Sequence, residues 1–271
     1  MKKIGWFSCG ATSAVAIKLA IKDNKIDIVY CDTGSEHKDN IRFLKDCEKW
    51  YGQKIKIIKS DKYNDIWDVF EKTGWLVGVA GARCTTELKK KMRQFYAELE
   101  DINIFGFDSS ESLRIERFKK NNPEILFETP LIEHNLSKPD CLALIQKSRI
   151  ELPMMYRLGY PNANCIGCVK GGAGYWNKIR KDFPDVFNRM AKLERRMNVA
   201  ILKKYVGSKR TKIFLDELQE DMGNLKMEVF TECSLFCNAV EDTLEQQTTA
   251  TIGKGLKPTL KRPIFAERCA K

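Results

Sequence analysis

Short apolar runs with strand character alternate with helical stretches through the first half of the chain, and this alternation limits the fold more than any other feature. Residues 2–9 form a short apolar run, residues 12–22 a mostly apolar helical stretch, and Ile26-Asp27-Ile28-Val29-Tyr30-Cys31 a second run with β-branched residues. Asp39 to Tyr51 then reads as helix, Ile55-Lys56-Ile57-Ile58 as strand, Asn64 to Lys72 as helix and Ile102 to Phe107 as strand. Parallel strands need long crossover connections, so this order predicts an α/β fold: a doubly wound, mostly parallel sheet with helices on both faces. In such sheets ligands sit where loops converge at the carboxyl ends of the strands. The polar segments Ser8 to Ser13, Asp32 to His37 and Asp108 to Arg117 each follow a strand.

Beyond about residue 150 the alternation gives way to loops rich in Gly, Asn and Cys, then to helical stretches near 184–205. The last part, Gln247 to Lys271, carries six Lys or Arg against the single acid Glu267 and reads as an irregular basic tail. With 271 residues, 43% of them hydrophobic, the chain can bury a sizeable core. Two lysines, an apolar stretch and an Ala-x-Ala ending at Ala16 are the parts of a secretory signal. Ser8, Gly10, Thr12 and Ser13 interrupt that stretch, however, and helix continues beyond it. No later segment offers the roughly 18 apolar residues a membrane helix needs, so a cytoplasmic chain without membrane attachment is expected. In that compartment ten cysteines imply buried packing, metal ligands or nucleophiles rather than disulfides. A net charge of +11 fits anionic partners, and equally a Lys-rich solubilising surface.

Ser8-Cys9-Gly10-Ala11-Thr12-Ser13 turns from a strand into a helix N-terminus through small residues. Such a turn offers backbone N–H groups and the positive end of a helix dipole to an anion, or is simply a tight turn with a capped helix. Neither common glycine-rich nucleotide fingerprint is present. The segment resembles the modified Ser-Gly-Gly-x-Asp-Ser loop of the adenine nucleotide alpha hydrolase (PP-loop) superfamily, with Cys9 in place of Gly and Thr12 in place of Asp. Asp32-Thr33-Gly34 with Glu36 resembles that family's adenosine-pocket segment. Gly106, Ser112 and Arg114 resemble its sulfate-binding segment, with Asp108 where an Arg is usual. Pro130-Leu131-Ile132, Pro153, Tyr156, Gly159 and Cys165-Ile166-Gly167-Cys168 follow in the order found in the phosphoadenylyl-sulfate and adenylyl-sulfate reductases.

This resemblance spans about residues 2–240 and implies a nucleotide-binding α/β domain over 1–150, a Cys-rich and helical region completing the site over 151–240, and the tail over 241–271. It places nucleotide against Ser8, Gly10, Thr12, Ser13, Asp32, Thr33, Gly34, Lys89, Gly106, Arg114 and Arg117. His37 is a further candidate contact, and Cys9 a small filler in the loop.

Cys165-x-x-Cys168 can bring two thiolates to one metal centre, and Gly167, Gly171 and Gly172 let the loop fold tightly. In the adenylyl-sulfate reductases a Cys-Cys pair and a CxxC hold a [4Fe-4S] cluster; here Arg83 takes one position and Cys84 the other. Glu232-Cys233-Ser234-Leu235-Phe236-Cys237 resembles the segment carrying their nucleophile. The resemblance thus implies Cys84, Cys165, Cys168 and Cys237 as cluster ligands and Cys233 as nucleophile, with the roles of Cys233 and Cys237 interchangeable. A zinc site of Cys165, Cys168, Cys233 and Cys237 is the competing reading, while Cys31, Cys47, Cys141 and Cys269 are expected to be bystanders.

The activity implied is reduction of (phospho)adenylyl sulfate to sulfite through a cysteine thiosulfonate, resolved by a thioredoxin-like thiol donor. The alternatives are an ATP-dependent sulfurtransferase that thiolates tRNA or DNA, for which the charge would supply affinity, and a nucleotide-binding regulator without catalysis. Adenine nucleotide is the common partner of all three, nucleic acid a partner of the second, and each is compatible with a homo-oligomer.

Overall fold

The computed structural model describes residues 1–21, 25–78, 81–206 and 209–228. Cys233, Cys237, Cys269 and the basic tail therefore lie outside the described residues. The chain runs β1 (Lys3–Phe7), α1 (Ala11–Ile21), β2 (Asp27–Asp32), α2 (Asn40–Tyr51), β3 (Lys56–Lys59) and α3 (Ile66–Thr73). A small antiparallel pair, β4 (Val77–Gly78) and β5 (Gly81–Ala82), leads into α4 (Arg83–Thr85), a π-helical turn at Thr86–Lys90 and α5 (Lys91–Tyr96). The order continues with β6 (Ile102–Ile104), α6 (Ser112–Asn121), β7 (Phe127–Glu128), α7 (Pro130–Glu133), α8 (Lys138–Lys147) and α9 (Met154–Arg157). It ends with α10 (Ala173–Asp182), α11 (Pro184–Met197), β8 (Leu202–Val206), β9 (Lys209–Ile213) and a 3-10 turn at Leu215–Glu217.

The main sheet has the order β3-β2-β1-β6-β7 with every neighbour pair parallel, so the expected doubly wound α/β architecture is present. Successive strand side chains leave on opposite faces, and the apolar strand residues divide accordingly. Ile28 and Tyr30 of β2 join Phe7 and Ile104 on one face, under Val15 and Ile17 of α1, Phe43, Leu44 and Cys47 of α2 and Ile145 of α8. Val29 and Cys31 join Ile4 and Trp6 on the other, with Ile115 and Phe118 of α6 and, at its margin, Met92 and Tyr96 of α5. A third core of Trp67, Phe70, Leu88, Cys165, Cys168, Tyr175, Trp176, Met190 and Leu215 lies apart from the sheet and draws on residues from both sides of position 150.

Two expectations need correction. Helix was expected over 184–205, but α11 ends at Met197, where Asn198 adopts a left-handed cap (φ 53°), and Leu202–Val206 is strand β8. The β-branched and aromatic residues beyond Asn198 suit a ladder, and pairing with β9 supplies it. The strand expected to reach Phe107 ends at Ile104, because Gly106 lies directly against α1. Among the described residues no helix is long and apolar enough to cross a membrane.

Candidate nucleotide and cysteine site

β1 is the strand from which the chain first winds one way, to β2 and β3, and later the other, to β6 and β7. Its carboxyl end is therefore the switch point of the sheet, the place where such folds open a crevice. Ser8 to Ser13 occupies it. Ser13 Oγ accepts from the Ser8 amide (3.1 Å) and hydroxyl (2.9 Å) and donates to the Gly10 carbonyl (3.0 Å), which curls the loop onto the first turn of α1. The first turn of α1 carries no acidic residue, and the Ala11 amide is met by the neutral Tyr156 hydroxyl at 3.2 Å. Cys9, which replaces a glycine of the resembled loop, adopts φ 56°, the left-handed region glycine favours. It is completely buried and burial pushes its thiol up, so it is a filler rather than a nucleophile.

Two further loops converge here. A Cβ on Gly106 would lie 2.6 Å from the Ser13 amide and 2.8 Å from the Thr12 carbonyl carbon, so only glycine lets the end of β6 approach α1 this closely. After β2, Asp32 Oδ1 accepts from the Gly34 amide, and Gly34 (φ 64°) has no room for a side chain against the Asn64 carbonyl. Behind this turn Glu36 is buried, takes the hydroxyl of Tyr30 (2.8 Å) and Nδ2 of Asn40 (2.9 Å), and pairs with Lys89 at 3.3 Å. Lys89 therefore delivers its charge to a buried carboxylate.

The segment after β6 differs from the resembled sulfate segment in a specific way. Asp108 accepts from the Ser110 amide (2.8 Å) and hydroxyl (2.6 Å) and so shapes the turn into α6. Arg114 stacks on Phe107 and pairs with Glu111, while Arg117 is half-buried on the same helix. His37 turns back on its own loop, Nδ1 accepting from the Asp39 amide, with its ring edge toward Phe183.

The cysteine loop adjoins the segment that follows β2. Thr33 Oγ1 lies 3.1 Å from Cys165 Sγ, and the Ile166 amide donates to the Ser35 carbonyl at 2.9 Å. The buried Tyr175 hydroxyl organises the turn: it accepts from the Gly167 (3.0 Å) and Cys168 (2.9 Å) amides and donates to the Cys165 carbonyl. Cys165 and Cys168 are buried and Cys84 packs half-buried against the same core. Yet among the described residues no group of three or more His, Cys, Asp or Glu side chains is placed to hold one metal ion. Cys233 and Cys237, the other candidate ligands, lie outside the described residues.

Several contributors escape sequence reading because their partners are distant in the chain. Asp39 binds Arg42 through both oxygens and also takes the Met154 amide, and the guanidinium beside it holds its carboxyl down at about 2. Arg42 reaches on to the Glu151 and Leu152 carbonyls, so this pair fixes the segment that carries Tyr156. Glu228 accepts from the Gly174 and Tyr175 amides at the N-terminus of α10, next to the cysteine loop. An unclaimed acid fifty residues from its helix leaves no local pattern.

Residues 4–172 match the family model of the phosphoadenosine phosphosulfate reductase domain. Two uncharacterized proteins of Methanocaldococcus jannaschii are each 24% identical over 195 and 194 residues, 68% of this chain but 39% and 45% of theirs. The chain thus spans less than half the length of these curated relatives. Among solved structures, phosphoadenylyl-sulfate (PAPS) reductase from Candida auris, in its phosphate complex, superposes with a TM-score of 0.43 at 17% identity, covering 61% of this chain and 81% of that one.

Proposed function

Since the chain belongs to the phosphoadenosine phosphosulfate reductase domain family, we propose that it is a PP-loop enzyme acting on the sulfate group of an adenylyl-sulfate nucleotide. The observation that carries this reading is the adjacency of two loops: the Ser8 to Ser13 turn ends β1, and the Cys165 to Cys168 turn is bonded to the Asp32 to Glu36 segment that ends the neighbouring parallel strand β2. A nucleotide phosphate at the first turn would meet the Ser8 hydroxyl and the N-terminal amides of α1. Its adenosine would lie toward Asp32, Thr33 and Gly34. Arg114 and Arg117 at the mouth of α6 supply positive charge near the anionic tail.

In the reaction proposed, a cysteine thiolate attacks the sulfur of adenylyl sulfate. The sulfur–oxygen bond to the nucleotide phosphate breaks, and the nucleotide leaves with that electron pair. A dithiol donor of the thioredoxin type then attacks the enzyme sulfur, is oxidised to a disulfide and releases sulfite. Cys233 is the proposed nucleophile on the strength of the segment around it, which lies outside the described residues.

Full-length protein tested with adenylyl sulfate, its 3'-phosphorylated form and a dithiol donor should release sulfite, and Cys233→Ser should stop it. Gly10→Val should weaken adenine-nucleotide binding at least about tenfold, close to 1.4 kcal/mol, by blocking backbone approach. Sulfite release unchanged in Cys233→Ser, or no release from either nucleotide, would overturn the reductase reading. Iron, sulfide and zinc analysis of anaerobically purified protein tests the ligand role of Cys84, Cys165, Cys168 and Cys237 separately from turnover.

A further inference from the structure

The ribbon formed by β8 and β9 has a composition its own stability does not explain. Residues 202–213 hold five Lys or Arg (Lys203, Lys204, Lys209, Arg210 and Lys212) and no acid. The antiparallel register sets Lys203 directly opposite Lys212, with Lys204 opposite Thr211, and all four are exposed. Like charges facing each other across a ladder destabilise it, and an isolated two-stranded ribbon is marginal to begin with.

The fold nevertheless holds this ribbon firmly at its root. Leu202 and Ile213 pack into the third core, the one that contains Cys165 and Cys168. Glu194 of α11, fully buried, accepts the Ile201 amide just before β8 and the Leu215 amide just after β9. The acids that follow the ribbon are diverted: Asp216 and Glu217 both pair with Arg195. The ribbon thus stands on a braced support, and the two acids that follow it are engaged by Arg195.

We propose that the β8–β9 ribbon is a docking surface for the phosphate backbone of a nucleic acid. Cations on both faces of a narrow ribbon can neutralise phosphates on either side of it and gain affinity from the counterions released. Two strands about 5 Å apart are narrow enough to enter a groove about 12 Å wide. The ribbon's root residues Leu202 and Ile213 are spent on the core, and the vesicle arm of the test below separates a nucleic-acid backbone from a lipid headgroup as the phosphate source. This assignment stands whether or not the sulfate chemistry does.

The test uses the full-length protein with a fluorescently labelled DNA duplex of about 20 base pairs and an RNA hairpin of similar size, read by anisotropy across a salt series. Binding to at least one probe should fall linearly on a log–log plot. In the triple variant Lys203→Ala, Lys204→Ala, Lys212→Ala the slope should drop by between about 2 and 3, and affinity near 150 mM salt by at least about tenfold. Lys212→Glu should weaken binding while melting no lower than the parent, because it relieves the cross-strand repulsion; this separates loss of contact from loss of fold. The proposal is overturned if neither probe binds at about 50 mM salt, or if the triple variant keeps the parent's affinity and slope. It is equally overturned if only removal of residues 254–271 abolishes binding, or if the protein binds phosphatidylserine vesicles but neither nucleic acid.

Discussion

Two helices of this molecule begin in loops of small residues, and their N-termini are treated in opposite ways. α1 starts after Ser8-Cys9-Gly10 and α10 after Gly171-Gly172, and neither has an acid in its own first turn. α10 is closed by the chain itself: Glu228 places its carboxylate on the Gly174 and Tyr175 amides. At α1 the Ala11 amide donates to the Tyr156 hydroxyl. Both N-termini carry the same partial positive charge, and a carboxylate stabilises such an end by up to about 1 kcal/mol at exposed positions. One end is therefore met by a carboxylate from the chain itself, while the other is the end at which the proposed reading places a nucleotide phosphate.

A glycine seats each of the two helix ends. A Cβ at Gly106 would strike the Ser13 amide at 2.6 Å, and one at Gly174 the Leu225 amide at 2.4 Å, backbone in both cases. Gly106→Val and Gly174→Val should each cost about 3 kcal/mol or more, from overpacking that no rotamer relieves. Their functional outcomes should differ. Gly106→Val is expected to lose adenine-nucleotide binding in calorimetry even where folded protein is recovered. Gly174→Val should keep it but expose Cys165 and Cys168 to thiol reagents, since the segment carrying Glu228 can no longer seat. Loss of nucleotide binding in both would mean that the two ends are one site.

How far the sequence foretells this architecture depends on whether a feature is local. The sheet is legible because alternation within β1 and β2 divides their side chains between two cores, and that pattern needs no distant partner. The Ser8 to Ser13 turn is legible for the same reason. The Cys165 loop can be recognised, but its brace cannot: the Tyr175 hydroxyl collects two amides that nothing in the spacing points to. Asp108 reads as a missing positive charge, whereas in the structure it shapes a turn through Ser110. The strand at 202–206 reads as helix because it becomes a strand only by pairing with 209–213 and its charges mask its alternation. Contacts made across fifty or a hundred residues, such as Glu228 to α10 or Asp39 to Met154, leave no periodic trace.

A second carboxylate, Glu194, takes backbone amides where there is no helix dipole. Glu194 accepts two backbone amides, as Glu228 does, but from segments flanking a ribbon rather than from a helix start, and it is fully buried. Burial outweighs those two hydrogen bonds and pushes its carboxyl from an ordinary 4.5 up to about 7. A group whose folded value is raised stabilises the fold below its unfolded value and loses that contribution as pH rises through the folded one. Stability should therefore decline between pH 4.5 and about 7, by up to about 3 kcal/mol for a shift of this size. Glu194→Gln should flatten that decline relative to the parent in thermal melts across the range. An unchanged difference between pH 5 and pH 8 would show that Glu194 is ionised throughout.

Glu228→Gln tests the closed end more gently. The amide side chain still offers an oxygen to one of the two helix amides but no charge, so a loss of about 1 kcal/mol is expected, on the scale of a helix cap. The loss should shrink in high salt, which screens a charge on a dipole but not a hydrogen bond. Thiol reactivity at the cysteine loop should rise with it. A salt-independent loss would assign the contact to hydrogen bonding alone.

The smallest effect concerns the open end, where the loop keeps a side chain in a conformation suited to glycine. Cys9 sits at φ 56° and is fully buried, its Sγ 3.6 Å from the Asn40 carbonyl. A left-handed residue with a Cβ costs about 1 to 2 kcal/mol. Cys9→Gly removes that strain, but it also removes a packed thiol and loosens the unfolded chain by about 0.4 to 1 kcal/mol. The net change from the parent should therefore be small. Cys9→Ala separates the contributions, because it gives up the thiol while keeping the strain. The glycine variant should exceed the alanine variant by about 0.5 to 1 kcal/mol in urea denaturation, the strain less the entropy. Both variants should bind adenine nucleotide like the parent, since the loop amides are aimed by the backbone and not by the sulfur. If alanine proves the more stable, the left-handed turn is not imposed on residue 9 by the surrounding fold, and the open end of α1 is less preformed than its geometry indicates.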